Sequence, residues 1–320
     1  CEGTTHLERM AAAANALKAS QWYPRAPKRH VVFAGAASED RTPLGDLGAL
    51  LASGGAIGIC TSRTYCSARF VKRAEVPMLP LLSLMDPKIH PKLTSEACPR
   101  GGEPKRRSTL LYFRGAHGTS EGAQEVRARL WELRTMAGAD IKFSKGGPTS
   151  LAPSIRERMK SLGWSGKDVR MPFNTVATAQ GMLHADFCAL PRGEKANPGR
   201  RLVDAVAAGC IPLIIGDALR PPLTSLLKYN DFSVRVPESE FMRYPKGAVS
   251  EALAAATPRL AELRRNLIRA RDELLLGYGD SPLPGNFTAA KGADLVLLKV
   301  GQAICPRSPA TFRSCNEGMV

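Results

Sequence analysis

Short continuous apolar runs along this chain alternate with stretches whose apolar residues recur every three to four positions. That alternation reads as buried strands separated by amphipathic helices. In the first third, Leu7, Met10, Ala14 and Leu17 recur at helical spacing until Trp22-Tyr23-Pro24 breaks the pattern. Residues 31–34 and 56–60 read as strands, with a helix over 46–52 between them. Residues 76–84 are apolar but hold Pro77 and Pro80, which predicts a connector or an edge strand. The Gly- and Pro-rich residues 99–104 mark a boundary.

Beyond that boundary the alternation is cleaner. Strands are predicted over 109–113, 139–143, 185–190, 210–215 and 232–236. Helices are predicted over 121–136, 154–162 and 175–184, and Leu260, Leu263, Leu267, Ala270 and Leu274 line one face of a long one. Strands and helices of these lengths imply a mostly parallel sheet. The expected organisation is a partial α/β domain over 1–105, a second α/β domain over 106–280, and a carboxyl-terminal segment over 281–320.

One block carries most of the chemistry. Residues 185–217, ADFCALPRGEKANPGRRLVDAVAAGCIPLIIGD, read as strand, basic loop, helix, strand. Asn197-Pro198 supplies an N-cap followed by proline at the first helical position, and Gly209 stops the helix. In a βαβ unit a ligand binds beyond the carboxyl end of the first strand, at the amino end of the helix. Arg192, Lys195, Arg200 and Arg201 all fall there. Loop cations are usually just solvated, but these oppose the helix dipole, and a bound anion such as a diphosphate offsets that opposition.

Composition narrows the class. The 320 residues are 44% hydrophobic and 23% charged, a globular balance with room for two domains. A net charge of +16 raises nucleic acid as a partner. Aromatics are only 6%, no basic run interleaves with stacking rings, and no nucleic-acid-binding motif is visible, so no specific nucleic-acid partner is expected. Eight cysteines suit an oxidising compartment. Cys60 with Cys66, and Cys305 with Cys315, are spaced to staple loops, while Cys188 and Cys210 are either a disulfide or two buried thiols. No Cys or His spacing suits zinc, so no structural metal is expected. Asn286-Phe287-Thr288 is a glycosylation acceptor pattern if the chain enters the secretory route. No run of about eighteen apolar residues occurs, and Cys1-Glu2-Gly3 opens directly into helix-like sequence without a signal pattern.

FCALPRG, GRRLVDAVAAGCIPLIIGD and YNDFSVRVPESE together resemble the signature block of the exostosin-like glycosyltransferases, family 47. That block reads F-C-L-x-P-x-G, then S-x-R-x-x-E-A-x-x-x-G-C-I-P-V-I, then W-x-x-F-S-V ending in an acidic residue. The resemblance runs from about Arg107 to Ala303 and is thin upstream. It implies a GT-B arrangement, two Rossmann-like domains with mostly parallel sheets facing across a cleft, the second over 106–280 holding the nucleotide sugar and the segment over 281–320 crossing back through residues 293–303. It further implies an inverting transferase that uses a nucleotide-diphosphate sugar, UDP-linked, as substrate rather than any cofactor. No metal is required in that scheme, and no Asp-x-Asp pair of the manganese-binding kind is present. The acceptor is a polysaccharide or glycoprotein glycan, and relatives form homo- or hetero-oligomers. Family members are held at the Golgi membrane, facing the lumen, by an amino-terminal helix, so this chain is expected to be a luminal fragment or a truncated gene product.

The resemblance also assigns roles. Arg201 matches the family arginine and neutralises the departing diphosphate, with Arg192 of the P-x-G turn assisting. Gly193 and Arg200 belong to the same nucleotide-sugar site, as does Gly115 after the strand at 109–113. Gly199 stands where the family has Ser. Asp204 replaces the usual Glu and is either a ribose acceptor or an ion-pair partner of Arg200 or Arg201. Trp22-Tyr23-Pro24-Arg25 through Arg29-His30-Val31 resembles the P-Y-W-x-R and G-R-D-H-F segments, with Arg29 in place of the Asp. His30 is thus either the base that deprotonates the acceptor or a structural residue at a strand start. His117 is a second candidate base, and Asp40 and Asp46 are weaker ones. The Arg29 substitution and the short first domain also fit a degenerate member that binds glycan or a partner transferase without catalysis.

Overall fold

The computed structural model describes residues 6–27, 31–34, 45–54, 57–60, 72–75, 107–118, 120–143, 151–165, 174–193, 200–219, 221–224 and 227–274. By contact the chain divides into two units, residues 1–77 with 290–320 and residues 78–289. The expected boundaries at 105 and 280, and the segment from 281 expected to cross back, fall outside the described residues.

In the first unit, α1 (His6–Ala19) and α2 (Gly45–Ser53) accompany a parallel sheet in the order β1 (Val31–Ala34), β2 (Ile57–Cys60), β3 (Lys72–Glu75). The helical spacing of Ala14 and Leu17 and the apolar run of α2 become one small core, in which Tyr23 and Leu51 are buried against Leu17, Leu47 and Leu50. The Tyr23 hydroxyl donates to the Leu50 carbonyl oxygen at 2.7 Å, which ties the turn after α1 to α2. Strand β3, Lys-Arg-Ala-Glu, has no apolar run to announce it, and sequence reading missed it.

The second unit holds a five-stranded, all-parallel sheet in the order β5 (Ala139–Phe143), β4 (Thr109–Gly115), β6 (Ala185–Pro191), β7 (Ile211–Ile215), β8 (Val234–Val236). Every residue of β7 is buried, as a strand covered on both faces requires. The expectation of an α/β chain with parallel sheets is met in both units. Helices follow as α3 (Glu121–Leu130), α4 (Pro153–Ser161), α5 (Thr175–Leu183), α6 (Arg200–Ala207), α7 (Glu238–Arg243), α8 (Pro245–Ala256) and α9 (Leu260–Leu274). Local chemistry sets their limits. Ser120 and Asn174 cap α3 and α5 by accepting from the N–H groups of Ala123 and Ala177. Gly209, at φ +65°, closes α6 as the Gly209 N–H bonds Val206 and the Cys210 N–H bonds Ala205.

Three expectations are corrected here. The helix foreseen over 121–136 is α-helical only to Leu130 and tightens into a 3-10 turn over Trp131–Thr135. The strand foreseen over 232–236 begins at Val234, after a 3-10 turn at Tyr229–Asp231. Helices α7 and α8 were not foreseen, although Pro245 marks the start of α8 and Phe241, Val249 and Leu253 turn into the core. Cys188 and Cys210 form a buried disulfide, which decides between the two alternatives for that pair. No helix among the described residues is long and apolar enough to cross a membrane.

Candidate nucleotide-sugar site

In a parallel sheet all carboxyl ends lie on one edge, and the βα loops of the second unit gather there. Strand β4 ends in Phe113-Arg114-Gly115 and leads through Ala116-His117-Gly118 to α3. Strand β6 ends at Pro191, with Arg192 and Gly193 next, and α6 opens with Arg200 and Arg201. The disulfide brackets this whole basic segment between β6 and β7.

Arg201 is the centre of the site. Its guanidinium carbon lies 4.7 Å from the Phe113 ring centroid, and Nη2 donates to the Arg114 carbonyl oxygen at 3.4 Å. It lies flush on Gly115: a Cβ there would collide with Arg201 Nη2 and come within 3.1 Å of Cζ. Burial, then the charge of Arg127, lowers the Arg201 pKa to about 9, while Asp204 pulls it back up. The guanidinium is still charged at neutral pH. Gly115, which the sequence places in the nucleotide-sugar site, is the residue against which the Arg201 guanidinium packs.

Arg192 takes a different partner. Its Nε donates to both carboxylate oxygens of Glu238, at 2.9 and 3.0 Å, and Nη2 reaches the Gly122 carbonyl oxygen at 3.4 Å. The Glu238 N–H in turn donates to the Asp217 carboxylate, 3.2 Å from each oxygen. Glu238 was overlooked as a site residue, although it is the first acidic residue after the F-S-V of its segment. Arg127 on α3 was overlooked too, and nothing in its local sequence distinguishes it from an ordinary helix cation. Its Nη1 donates to the Ala116 carbonyl oxygen at 2.6 Å, and Nη2 lies 3.2 Å from where a Gly193 Cβ would be.

The remaining candidates separate. Arg200 is exposed on the first turn of α6. Asp204, on the same helix, is 4% exposed, and its negative charge raises the Arg201 pKa. His117 does not line an open cleft. It is 1% exposed, stacked on Phe143 at 4.1 Å with Trp164 at its edge, and neither ring nitrogen has a hydrogen-bond partner. Burial and the Arg127 charge lower its pKa to about 4. A neutral imidazole sealed between aromatic rings reaches no acceptor hydroxyl. His30, Gly199, Lys195, Asp40 and the Asn197-Pro198 helix start lie outside the described residues, as do Cys66, Cys305 and Cys315. Asp46 sits in the first turn of α2.

A family model described as the exostosin GT47 domain matches residues 4–251. The chain belongs to that family. Among its relatives is a probable glucuronoxylan glucuronosyltransferase of Arabidopsis thaliana, 38% identical over 81 residues, or 25% of this chain and 17% of that protein. A probable arabinosyltransferase of the same plant is 29% identical over 165 residues, or 52% of this chain and 31% of the relative. The chain thus spans less than a third of the length of either GT47 relative. A solved glycosyltransferase from Rickettsia africae aligns over 94% of this chain and 83% of its own, at 10% identity and a TM-score of 0.45, a likeness too distant to carry an argument.

Proposed function

We propose that this GT47 chain is the catalytic part of an inverting glycosyltransferase that uses a nucleotide-diphosphate sugar, UDP-linked, and a polysaccharide or glycoprotein glycan as acceptor. The observation that carries the reading is Arg201 seated on Gly115 at the carboxyl edge of a parallel sheet, with Arg192 on the neighbouring loop. In the transfer, the acceptor oxygen loses its proton and attacks the anomeric carbon from the face opposite the leaving group. The bond from that carbon to the phosphate oxygen breaks, and negative charge grows on the diphosphate. Guanidinium groups fixed at that position stabilise this charge more in the transition state than in the ground state. Arg201 and Arg192 fill that role without a metal, Asp204 steadies Arg201, and Gly193, Gly199 and Arg200 shape the approach. His30 is the proposed base. The buried disulfide supports assembly in an oxidising compartment, and we assign the chain to the Golgi lumen.

Thermal unfolding with UDP or GDP, with and without manganese, tests the donor reading. Stabilisation by millimolar nucleotide in the presence of a chelator, lost in Arg201→Ala, is the expected result. No shift with any nucleotide overturns it. A second reading, a non-catalytic glycan or partner binder, is favoured by Arg29 standing where the family has Asp. Release of free nucleotide in the presence of an acceptor library separates the two.

A further inference from the structure

A continuous stack of side chains joins the interior of the second unit to the proposed site. The His117 ring lies on Phe143 at 4.1 Å between centroids and 9° between planes, with the Trp164 ring against its edge at 5.8 Å. Phe143 tilts against Phe113 at 5.5 Å, and the Phe113 ring carries the Arg201 guanidinium at 4.7 Å. His117 therefore reaches Arg201 through two intervening rings.

The backbone makes the same connection by a second route. Gly115, on which Arg201 packs, is the Cα partner of Phe143 in the register of β4 and β5. His117 follows two residues after Gly115, and its ring stacks on the side chain of that same strand partner. The rest of the turn is tied to α3. The Ala116 carbonyl oxygen accepts from Arg127 Nη1 at 2.6 Å, and that of Gly118, at φ +99°, accepts from Gln124 Nε2 at 3.3 Å.

The polarity of His117 is unused in this setting. The side chain is 1% exposed, and neither ring nitrogen has a hydrogen-bond partner, an arrangement that disfavours folding. What the ring contributes is a flat face against Phe143 and an edge against Trp164. Those contacts fix the turn that begins at Gly115.

We propose that His117 is a positioning residue for Arg201: by stacking on Phe143 it holds the turn after β4 and the Phe113 ring in the places that seat the guanidinium. The inference rests on the donor reading above, in which Arg201 meets the diphosphate, and adds to it a residue that touches no part of the ligand.

Calorimetric titration with UDP tests this, each protein being held below its own ligand-free melting temperature. His117→Ala should weaken UDP binding about tenfold, the scale of one charge-assisted contact. His117→Phe, which keeps a flat ring beside Phe143, should stay within about twofold of the wild type. An Arg201→Lys background separates positioning from a general loosening of the fold, because lysine keeps the charge and has no planar group to lie on Phe113. There His117→Ala should weaken UDP binding by a further factor of about two or less. Three results each overturn the proposal and leave the donor reading standing. They are wild-type affinity in His117→Ala, an equal loss in His117→Phe, and the full loss repeated in the Arg201→Lys background. If His117→Ala does not fold, Phe143→Leu breaks the stack at its centre and should give the same loss, and wild-type affinity in that variant overturns the proposal. A wild-type chain that binds no UDP removes the donor reading and this inference together.

Discussion

Gly115 and Arg201 fit together as a socket and its occupant: the guanidinium lies where a side chain on residue 115 would begin. The contact joins the carboxyl end of β4 to the first turn of α6, two elements 86 positions apart in the chain. Phe113, two residues earlier on β4, supplies the aromatic face beneath the same guanidinium. The guanidinium is thereby held between a glycine and an aromatic ring.

Gly115→Ala should therefore act as an Arg201 mutation at a distance. The methyl group displaces the guanidinium, and misplacement of a charge stabiliser by about 1 Å lowers turnover by about 100-fold. Melting temperature should fall modestly, because the methyl group also crowds Phe113 and unseats the guanidinium from that ring. Unaltered turnover of Gly115→Ala would show that the position of Arg201 does not matter to transfer.

Glu238 holds Arg192 through both carboxylate oxygens, and both side chains are partly exposed, at 20% and 30%. Glu238→Ala should reduce stability by about 1 kcal/mol, the scale of a partly screened pair. Its larger effect should be on donor KM, raised several-fold, since Arg192 is then free to turn away from the pocket. Glu238→Asp, tested beside it by steady-state kinetics, should recover part of the loss.

The Cys188–Cys210 disulfide closes a loop between residues 22 apart, and both cysteines are buried. Replacing both by Ala should lower unfolding stability by about 3 kcal/mol, read as a shift of the denaturant midpoint. Reductant should move the wild-type midpoint toward that of the variant and leave the variant unchanged.

His117 gives the fold a defined acid response. Its pKa is lowered to about 4 from an ordinary 6.5, so the unfolded chain binds a proton there more readily than the folded one. The stability tied to a neutral His117 is complete above pH 6.5 and is lost as pH falls towards 4. A separation of that size corresponds to about 3 kcal/mol. His117→Phe, which keeps a ring beside Phe143, should flatten this part of the stability profile. An identical profile in the variant would place the acid sensitivity elsewhere.

Most of the order of strands and helices in the second unit was legible in the sequence, as was the gathering of arginines about the β6–α6 connection. Unbroken apolar runs such as 211–215 and 187–190 report strands buried on both faces, and the glycine at 209 reports a helix end. These are local signals, set by side-chain period and backbone preference within a few residues. The polar strand β3 and the single-sided six-residue helix α7 carry no such period and were missed, while α8, rich in alanine but with Val249 and Leu253 at helical spacing, was simply not read.

What only the tertiary structure decided depends on residues brought together across strands. Arg127, an unremarkable helix cation, enters the site because β4 and β6 are neighbours in the sheet, and Glu238 enters because its helix follows β8 on the same edge. His117 left the list of bases for the converse reason, since Phe143 and Trp164 close over it from distant positions. The pair Cys188 and Cys210 likewise stood open until the fold brought the middle of β6 and the residue before β7 to a Cα separation of 5.7 Å. Sequence by itself determined which segments form and which chemistry they carry. Packing decided which charges meet, because electrostatic and steric partnership depends on distance in space and not on separation along the chain.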